Sequence, residues 1–376
     1  MNHKWERRLP ACIMDRRHLA CLIFNAYKMT QSFVPVLCLA LIVVLFGCGG
    51  KQESKPEKQL NLYIWSAYVE ASTVKKFEQE TGIRVRFDTY DSNEALLEKM
   101  QSGVSDYDVI VPSDYMVRIL DHQGLLEPLD PSRLPNLKNL SQRFRNLPYD
   151  PNNQHSVPFL WGTTGIGYNQ KKVTDPVDSW AILWNPKYKD RILMLDDLRE
   201  TFGVALKWKG HSINSKDPTE LGEAKQLLIQ QKPLVKTYSS SNFDEILLSG
   251  DVWLAHGWSG QLAKAKDQNP DLAYVVPKEG STIWVDNSAI PKTARHKEEA
   301  YTFLNWCMKP EIAAEITNFS GYPSPNEAAR QFIKPEILND PARYPDEATL
   351  AKCEFLEDLG ETSTLLDRYW TEIKSR

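Results

Sequence analysis

From Leu60 onward, short apolar runs of strand length alternate with amphipathic stretches of helix length, and no other feature limits the possible folds as much. LNLYIW (60–65) is expected to be a strand. A helix around 72–81 should stop at Gly82, because glycine readily adopts the left-handed conformation that ends helices. IRVRFDTY (83–90) alternates and predicts a second strand. Ser92 is placed to cap a helix running to about Gln101. YDVIVPS (107–113) predicts a buried strand ending in a loop, and the rhythm continues through VWLAHGW (252–258). Such a βαβ rhythm implies an α/β fold with largely parallel sheets. At 376 residues the chain exceeds what one compact core usually holds, so two domains are expected.

In open α/β sheets, ligands bind beyond the carboxyl ends of the strands. Here those ends collect aromatic residues and acids. The first strand leads into Trp65, Ser66 and Tyr68, and the third into Ser113 and Tyr115. RILML (191–195) leads into Asp196, Asp197 and Glu200, VWLAHGW ends on Trp258, and the later turn SGYPSPN carries Tyr322. Each has a plain structural reading: the aromatics could fill a core, and Asp196 or Asp197 could be a helix N-cap. Their recurrence at one end of the sheets is what argues for a site. STIWVDNSAIP (281–291) is the most specific stretch. If extended, it points Trp284 and Asp286 to one face and Ile283 and Val285 to the other. No Lys or Arg within it pairs with the carboxylate. An ammonium ion would satisfy both groups, through a charge-assisted hydrogen bond and a cation–π contact. The plain alternative is a solvated Asp and a core Trp at a strand end.

Charged residues make up 25% and hydrophobic ones 42%, an ordinary globular composition. Without the first 48 residues the chain carries 39 basic and 47 acidic side chains, which argues against a nucleic-acid partner. The chain has no HExxH, CxxC, P-loop or G-x-S-x-G motif and only seven scattered His, so neither a metal nor a cofactor is expected. His256 reads as a packed strand residue. FVPVLCLALIVVLFGC (33–48) follows basic residues and is too short for a comfortable membrane span of about 20 residues. Its end, L-F-G-C, resembles a bacterial lipobox. That resemblance implies a signal segment at 1–48, a lipid on Cys48 and a flexible tether at 49–59. Cys307 and Cys353 could pair outside the cytoplasm, although Cys307, within FLNWCM, reads as a buried thiol.

YIWSAYV, TGIRVRFDTYDSNE, DVIVPSDY, PFLWGTTGIGYN, DDLRE, VPKEG, IWVDNSAIP and GYPSPNEAAR stand in this order along the chain. Together they resemble the spermidine/putrescine-binding periplasmic proteins of polyamine ABC transporters, within the bacterial extracellular solute-binding family. The resemblance runs from about residue 60 to the C-terminus. It implies a type II periplasmic-binding-protein fold, two α/β lobes around a ligand cleft joined by hinge crossovers. The lobes would hold 60–163 plus 285–329 and 164–284 plus 330–376. It implies no catalysis. It assigns Trp65, Tyr68, Tyr115, Trp258, Trp284 and Tyr322 to an aromatic box, Asp197, Glu200 and Asp286 to amine anchors, and Ser66 and Ser113 to polar contacts. Two positions depart from the family: Ala67 stands where an acid is usual, and Leu356 where a Gln is usual. The implied partners are a polyamine, permease subunits and, through Cys48, the outer face of a membrane. A polyamine sensor docking on a membrane signalling protein, or a carrier of another cationic solute, would use a similar cleft. Three acids among the aromatics disfavour a sugar. Asp197 and Glu200, close together on one helix start, suit one ligand end better than a glycosidase pair, which flanks a bond across a cleft.

Overall fold

The computed structural model describes residues 58–376 apart from Ala67 and Val104. The expected signal segment with Cys48, the tether up to residue 57, and Ala67 lie outside the described residues. Strand β1 (Gln59–Trp65) buries every second side chain, as its alternation requires. Helix α1 (Ala71–Thr81) ends where Gly82 turns to φ +69°, its N–H donating to Glu78 O. Strand β2 (Arg84–Tyr90) pairs parallel with β1 along its whole length. Helix α2 (Asn93–Gln101) is capped by Ser92, whose hydroxyl accepts from Ala95 N–H at 3.1 Å.

The third strand is shorter than the sequence suggests: β3 is only Val109–Ile110. Pro112 has no N–H to carry the ladder on. The carbonyls beyond β3 bond elsewhere: Val111 O accepts from Trp65 Nε1 at 2.9 Å, and Pro112 O from Asn287 N–H at 2.8 Å. Helix α3 (Asp114–His122) follows at once.

Strand β4 (Ser156–Asn169) spans 14 residues. Then come β5 (Ile192–Met194), α4 (Leu198–Trp208), α5 (Pro218–Gln231), β6 (Val235–Tyr238), α6 (Phe243–Leu248) and β7 (Leu254–Trp258). They are followed by α7 (Ser259–Gln268), β8 (Leu272–Val275), β9 (Ile283–Ala289), α8 (Lys297–Cys307) and α9 (Pro310–Ser320). The strand order is β2-β1-β3-β9-β4-β7-β5-β6, with β8 also on β4. The sheet is mixed, not largely parallel. β1 pairs parallel with β2 and β3, and β5 with β6 and β7. All pairings of β4 and β9 are antiparallel. β4 changes partner midway: residues through Thr163 face β9, and those from Thr164 face β7 and, further on, β8.

The apolar faces are covered by helices. Leu60, Leu62 and Ile64 pack with Phe77, Phe303 and Leu304. Phe202, Leu206, Leu221 and Leu228 pack with Leu366 and Ile373 of the C-terminal helix. Each fully buried side chain of this size contributes roughly 1.5–3 kcal/mol. Cys307 is buried and Cys353 half-buried, and both thiols are free, so the disulfide considered above is not formed. His256 is buried on β7, its ring edge-on to Trp180 and its pKa pushed down to about 3 by burial.

Asp108 fastens the sheet to α8. Its buried carboxylate accepts from the N–H groups of Asn61, Arg295 and His296 and from His296 Nδ1, each at 2.9 Å. Asp108→Ala leaves four part-buried donors without their acceptor, so a loss of about 1–3 kcal/mol is expected, read as a lower urea midpoint. An unchanged midpoint would remove this carboxylate from the fold's supports.

Candidate functional site

A cavity is lined by Trp65, Tyr68, Asn93, Ser113, Asp114, Tyr115, Asp197, Glu200, Trp258, Trp284, Asp286, Tyr322 and Leu356. Ten of the eleven expected site residues are thus brought together. Ser66 is exposed and does not line the cavity. Trp65 and Trp258 end β1 and β7, Ser113 precedes α3, and Asp197 caps α4. Trp284 and Asp286 project from one face of β9 into the cavity, while Ile283 and Val285 pack on the other side with Phe144 and Trp161.

Asp286 is 3% exposed. Its Oδ1 accepts from Ser113 Oγ at 2.6 Å, and its Oδ2 accepts from the Tyr68 hydroxyl. Asn93 braces the serine, donating Nδ2–H to Ser113 Oγ at 3.0 Å and accepting Ser113 N–H at 3.2 Å. Among the described residues no basic side chain pairs with this carboxylate. Burial pushes its pKa up to about 7, and the two hydroxyl bonds only partly oppose that.

The aromatic wall depends on two glycines. A Cβ on Gly162 would lie 2.5 Å from the Trp284 ring, and one on Gly260 would lie 2.2 Å from the Tyr322 ring. Trp284 and Tyr322 meet edge-on with centroids 5.2 Å apart, and Tyr68 lies 5.5 Å from Tyr322. Tyr322 donates its hydroxyl to Gln261 Oε1 at 2.9 Å.

The remaining acids gather at the start of α4. Glu200 Oε1 accepts from Thr164 Oγ1 at 2.8 Å and from Trp258 Nε1 at 3.2 Å, while the buried Oε2 has no partner. Asp197 Oδ1 accepts Glu200 N–H at 3.0 Å. Burial, then the Glu200 charge, pushes Asp197 up to about 6. Glu94, from α2, accepts from the Tyr115 hydroxyl at 3.2 Å and is raised by burial and by the charge of Asp197. None of the lining residues is basic. The Arg199 guanidinium, over the Tyr115 ring, donates to Glu357 O at 2.9 Å and Asn214 Oδ1 at 3.1 Å, and its charge partly offsets the rise at Asp197 and Glu200.

Asn93, Glu94 and Asp114 were not singled out by the sequence reading. Asn93 and Glu94 directly follow the cap residue Ser92, and Asp114 lies between Ser113 and Tyr115, so adjacency to chosen residues was the available signal. Leu356, noted only as a departure from the resemblance, lines the cavity. Among the described residues there is no cluster suited to a metal ion, and no helix is long and apolar enough to cross a membrane. Carboxylates gripped by hydroxyls beside aromatic faces can hold a cation.

A mixed α/β chain closed around such a cavity has the architecture of a type II periplasmic binding protein, two lobes joined by crossovers. The chain belongs to the bacterial extracellular solute-binding protein family, whose model matches residues 72–345. It is a binding protein and not an enzyme. It is 39% identical over 319 residues to a spermidine/putrescine-binding periplasmic protein of Salmonella typhimurium, covering 84% of this chain and 91% of that one. A putrescine-binding periplasmic protein of Pseudomonas aeruginosa is 38% identical, covering 87% and 94%. Among solved structures, the spermidine/putrescine ABC transporter substrate-binding protein of Streptococcus pneumoniae superposes with a TM-score of 0.75 at 35% identity, covering 85% and 99%. A lipoprotein of Treponema pallidum superposes at 0.77 with 31% identity, covering 85% and 100%.

Asp286 has a measurable cost in the ligand-free protein. Its folded pKa lies above its unfolded value of about 3.9, so the folded state binds the proton more tightly. Its contribution to stability is therefore full below about pH 4 and lost as pH rises through about 7. Asp286→Asn should make the ligand-free chain less sensitive to that rise, gaining about 2 kcal/mol or more on wild type between pH 5 and 8. Thermal melts of refolded protein across that range test it. A wild-type-to-variant difference independent of pH would contradict the burial cost.

Proposed function

We propose that the chain captures a polyamine, spermidine or putrescine, outside the cytoplasm and delivers it to the membrane subunits of an ABC transporter. The observation that carries this reading is Asp286: a dry carboxylate beside Trp284, Tyr68 and Tyr322, with no basic residue lining its cavity. The acids at the start of α4 supply a second anchor. A polyamine is an apolar chain with cations at intervals, so aromatic walls with spaced acids complement it. Each cation–π contact adds ~0.5–2 kcal/mol. The names of the Salmonella and Pseudomonas relatives support the same ligand class.

The site residues are proposed as expected, with Ser66 the weakest assignment because of its exposure. The lobes are proposed as 60–163 plus 285–329 and 164–284 plus 330–376, supported by the change of β4 partner between Thr163 and Thr164. A lipid anchor on Cys48 is proposed from the L-F-G-C signal, and the similar Treponema protein is described as a lipoprotein.

Calorimetry on the unfolded-and-refolded chain should give saturable one-to-one binding of spermidine or putrescine and none of a neutral sugar. Absence of heat with every polyamine would refute the function. A ligand ammonium favours ionised Asp286, so acid opposes binding. Affinity should fall up to about tenfold per unit as pH drops below about 7. The tyrosines that also influence Asp286 do not compete at neutral pH, because burial pushes Tyr68, Tyr90, Tyr149 and Tyr322 all upward from an already high value; burial raises Asp114 as well, so its protonation acts in the same direction as that of Asp286. Asp286→Asn should weaken amine binding by more than about tenfold with the fold intact. Equal affinity in that variant would remove the carboxylate from its role.

A further inference from the structure

Leu356 and Tyr115 each line two spaces. On one side is the cavity described above, and on the other is a second pocket bounded by Arg118, His122, Tyr149 and Glu354. The two side chains therefore form a dividing wall. The cavity side holds buried acids beside aromatic faces, while charged groups line the outer side. Leu356 is 6% exposed and packs in one cluster with Tyr115. An alkyl side chain makes no hydrogen bond that could fix it, so its place depends on how its main chain is held.

That hold begins at Glu354, whose N–H donates to Ser281 O at 2.9 Å and whose O accepts Ile283 N–H at 3.0 Å. Past Glu354 the fasteners are side chains. Asn214 Nδ2 donates to Phe355 O at 2.8 Å, and Asn214 Oδ1 accepts Glu357 N–H at 2.9 Å. A side-chain amide carries a donor and an acceptor side by side, as a peptide group does. In a parallel ladder a residue bonds the main chain on either side of the residue opposite it. Asn214 does the same with its side chain, and Leu356 is the residue opposite. The same Oδ1 accepts from Arg199 at 3.1 Å, and Arg199 also donates to Glu357 O at 2.9 Å. The Arg199 guanidinium lies 5.7 Å from the centre of the Tyr115 ring. Ile213, directly before Asn214, is 2% exposed and packs in the cluster of Leu356 and Tyr115. Asn214 and its neighbours thus brace both halves of the wall. Asn214 itself lines the second pocket and not the cavity.

We propose that Asn214 is a positioning residue for the binding cavity: by bonding the chain on both sides of Leu356, it sets the wall that keeps water from the acids. The assignment rests on the cationic-ligand reading above and adds a residue that touches no ligand. Ion pairs and cation–π contacts are stronger where water is excluded. A wall free to shift toward the second pocket admits water and weakens each of them. A role in fold stability alone would leave the effect of Asn214 independent of Leu356, and that independence separates the two accounts.

Asn214→Leu removes both amide bonds at nearly equal size. Calorimetry on the refolded variant should show spermidine and putrescine binding weakened by about fivefold or more. In a Leu356→Ala background, where the wall is already breached, the same substitution should change affinity by less than about twofold. A merely structural role would not produce that coupling, because its cost would add in either background. Asn214→Ser is too short to reach both partners. It should reproduce the loss, and it decides the question if Asn214→Leu does not fold. Undiminished amine affinity in a folded Asn214 variant would overturn the assignment. Equal losses with Leu356 and with Leu356→Ala would overturn it too, and either result would leave the proposed function standing. Failure of wild type to bind any amine would refute that function and this assignment with it.

Discussion

The structure is organised around a carboxylate that the protein leaves without a counter-charge. Asp286 lies on β9, which pairs with β3 on one side and β4 on the other. A solvated acid at that depth is impossible, and a paired one would leave nothing for a ligand. The chain takes a middle course: two hydroxyls hold the carboxyl oxygens, Asn93 holds one hydroxyl, and Trp284, Tyr68 and Tyr322 keep water away. The hydroxyls fix the geometry but bring no positive charge, so burial still raises the pKa to about 7. That unmet charge weakens the empty protein and strengthens the loaded one. Stored destabilisation of this kind is a common cost of a functional site.

Much of the fold was legible because its signals are local. The alternation of LNLYIW, the stop at Gly82 and the cap at Ser92 each depend on a few adjacent residues, and the structure carries all three. Sheet direction was not legible in the same way. SVPFLWGTTGIGYN is an apolar run whose direction depends on which strands it meets, and β4 meets β9, β7 and β8 antiparallel. The length of β3 was misjudged because burial continues through Val111 and Pro112 after the ladder has stopped.

The site was legible to a similar degree and for a related reason. The rule of strand ends finds Trp65, Ser113, Asp197 and Trp258, because the ends of elements can be read from sequence. It misses Asn93 and Glu94, which sit one and two places into a helix of ordinary amphipathic pattern. It misses Asp114 because an acid opening a helix has a sufficient local explanation. Only the tertiary structure reveals that this acid is dry. Ser66 errs in the opposite direction: it adjoins two cavity residues in sequence, yet its side chain is exposed.

The partner change in β4 ties the two acidic ends of the cavity to one strand. Gly162, just before the change, seats Trp284 beside Asp286, while Thr164, just after it, bonds Glu200. Gly260 and Gln261, in the first turn of α7, receive Tyr322, so the aromatic wall is completed by groups from both sides of the change. A cation engaging Asp286 and Glu200 together would therefore bridge the two halves of β4's pairing. If lobes joined by such crossovers hinge on the ligand, closing and neutralising the buried acids become the same event. Burial raises Asp114, Asp197, Glu200 and Asp286 alike, and the charges of neighbouring acids add repulsion at Asp114 and Asp197. A cation relieves the repulsion only when groups from both sides surround it. Ligand capture and closing around it would then share one electrostatic origin.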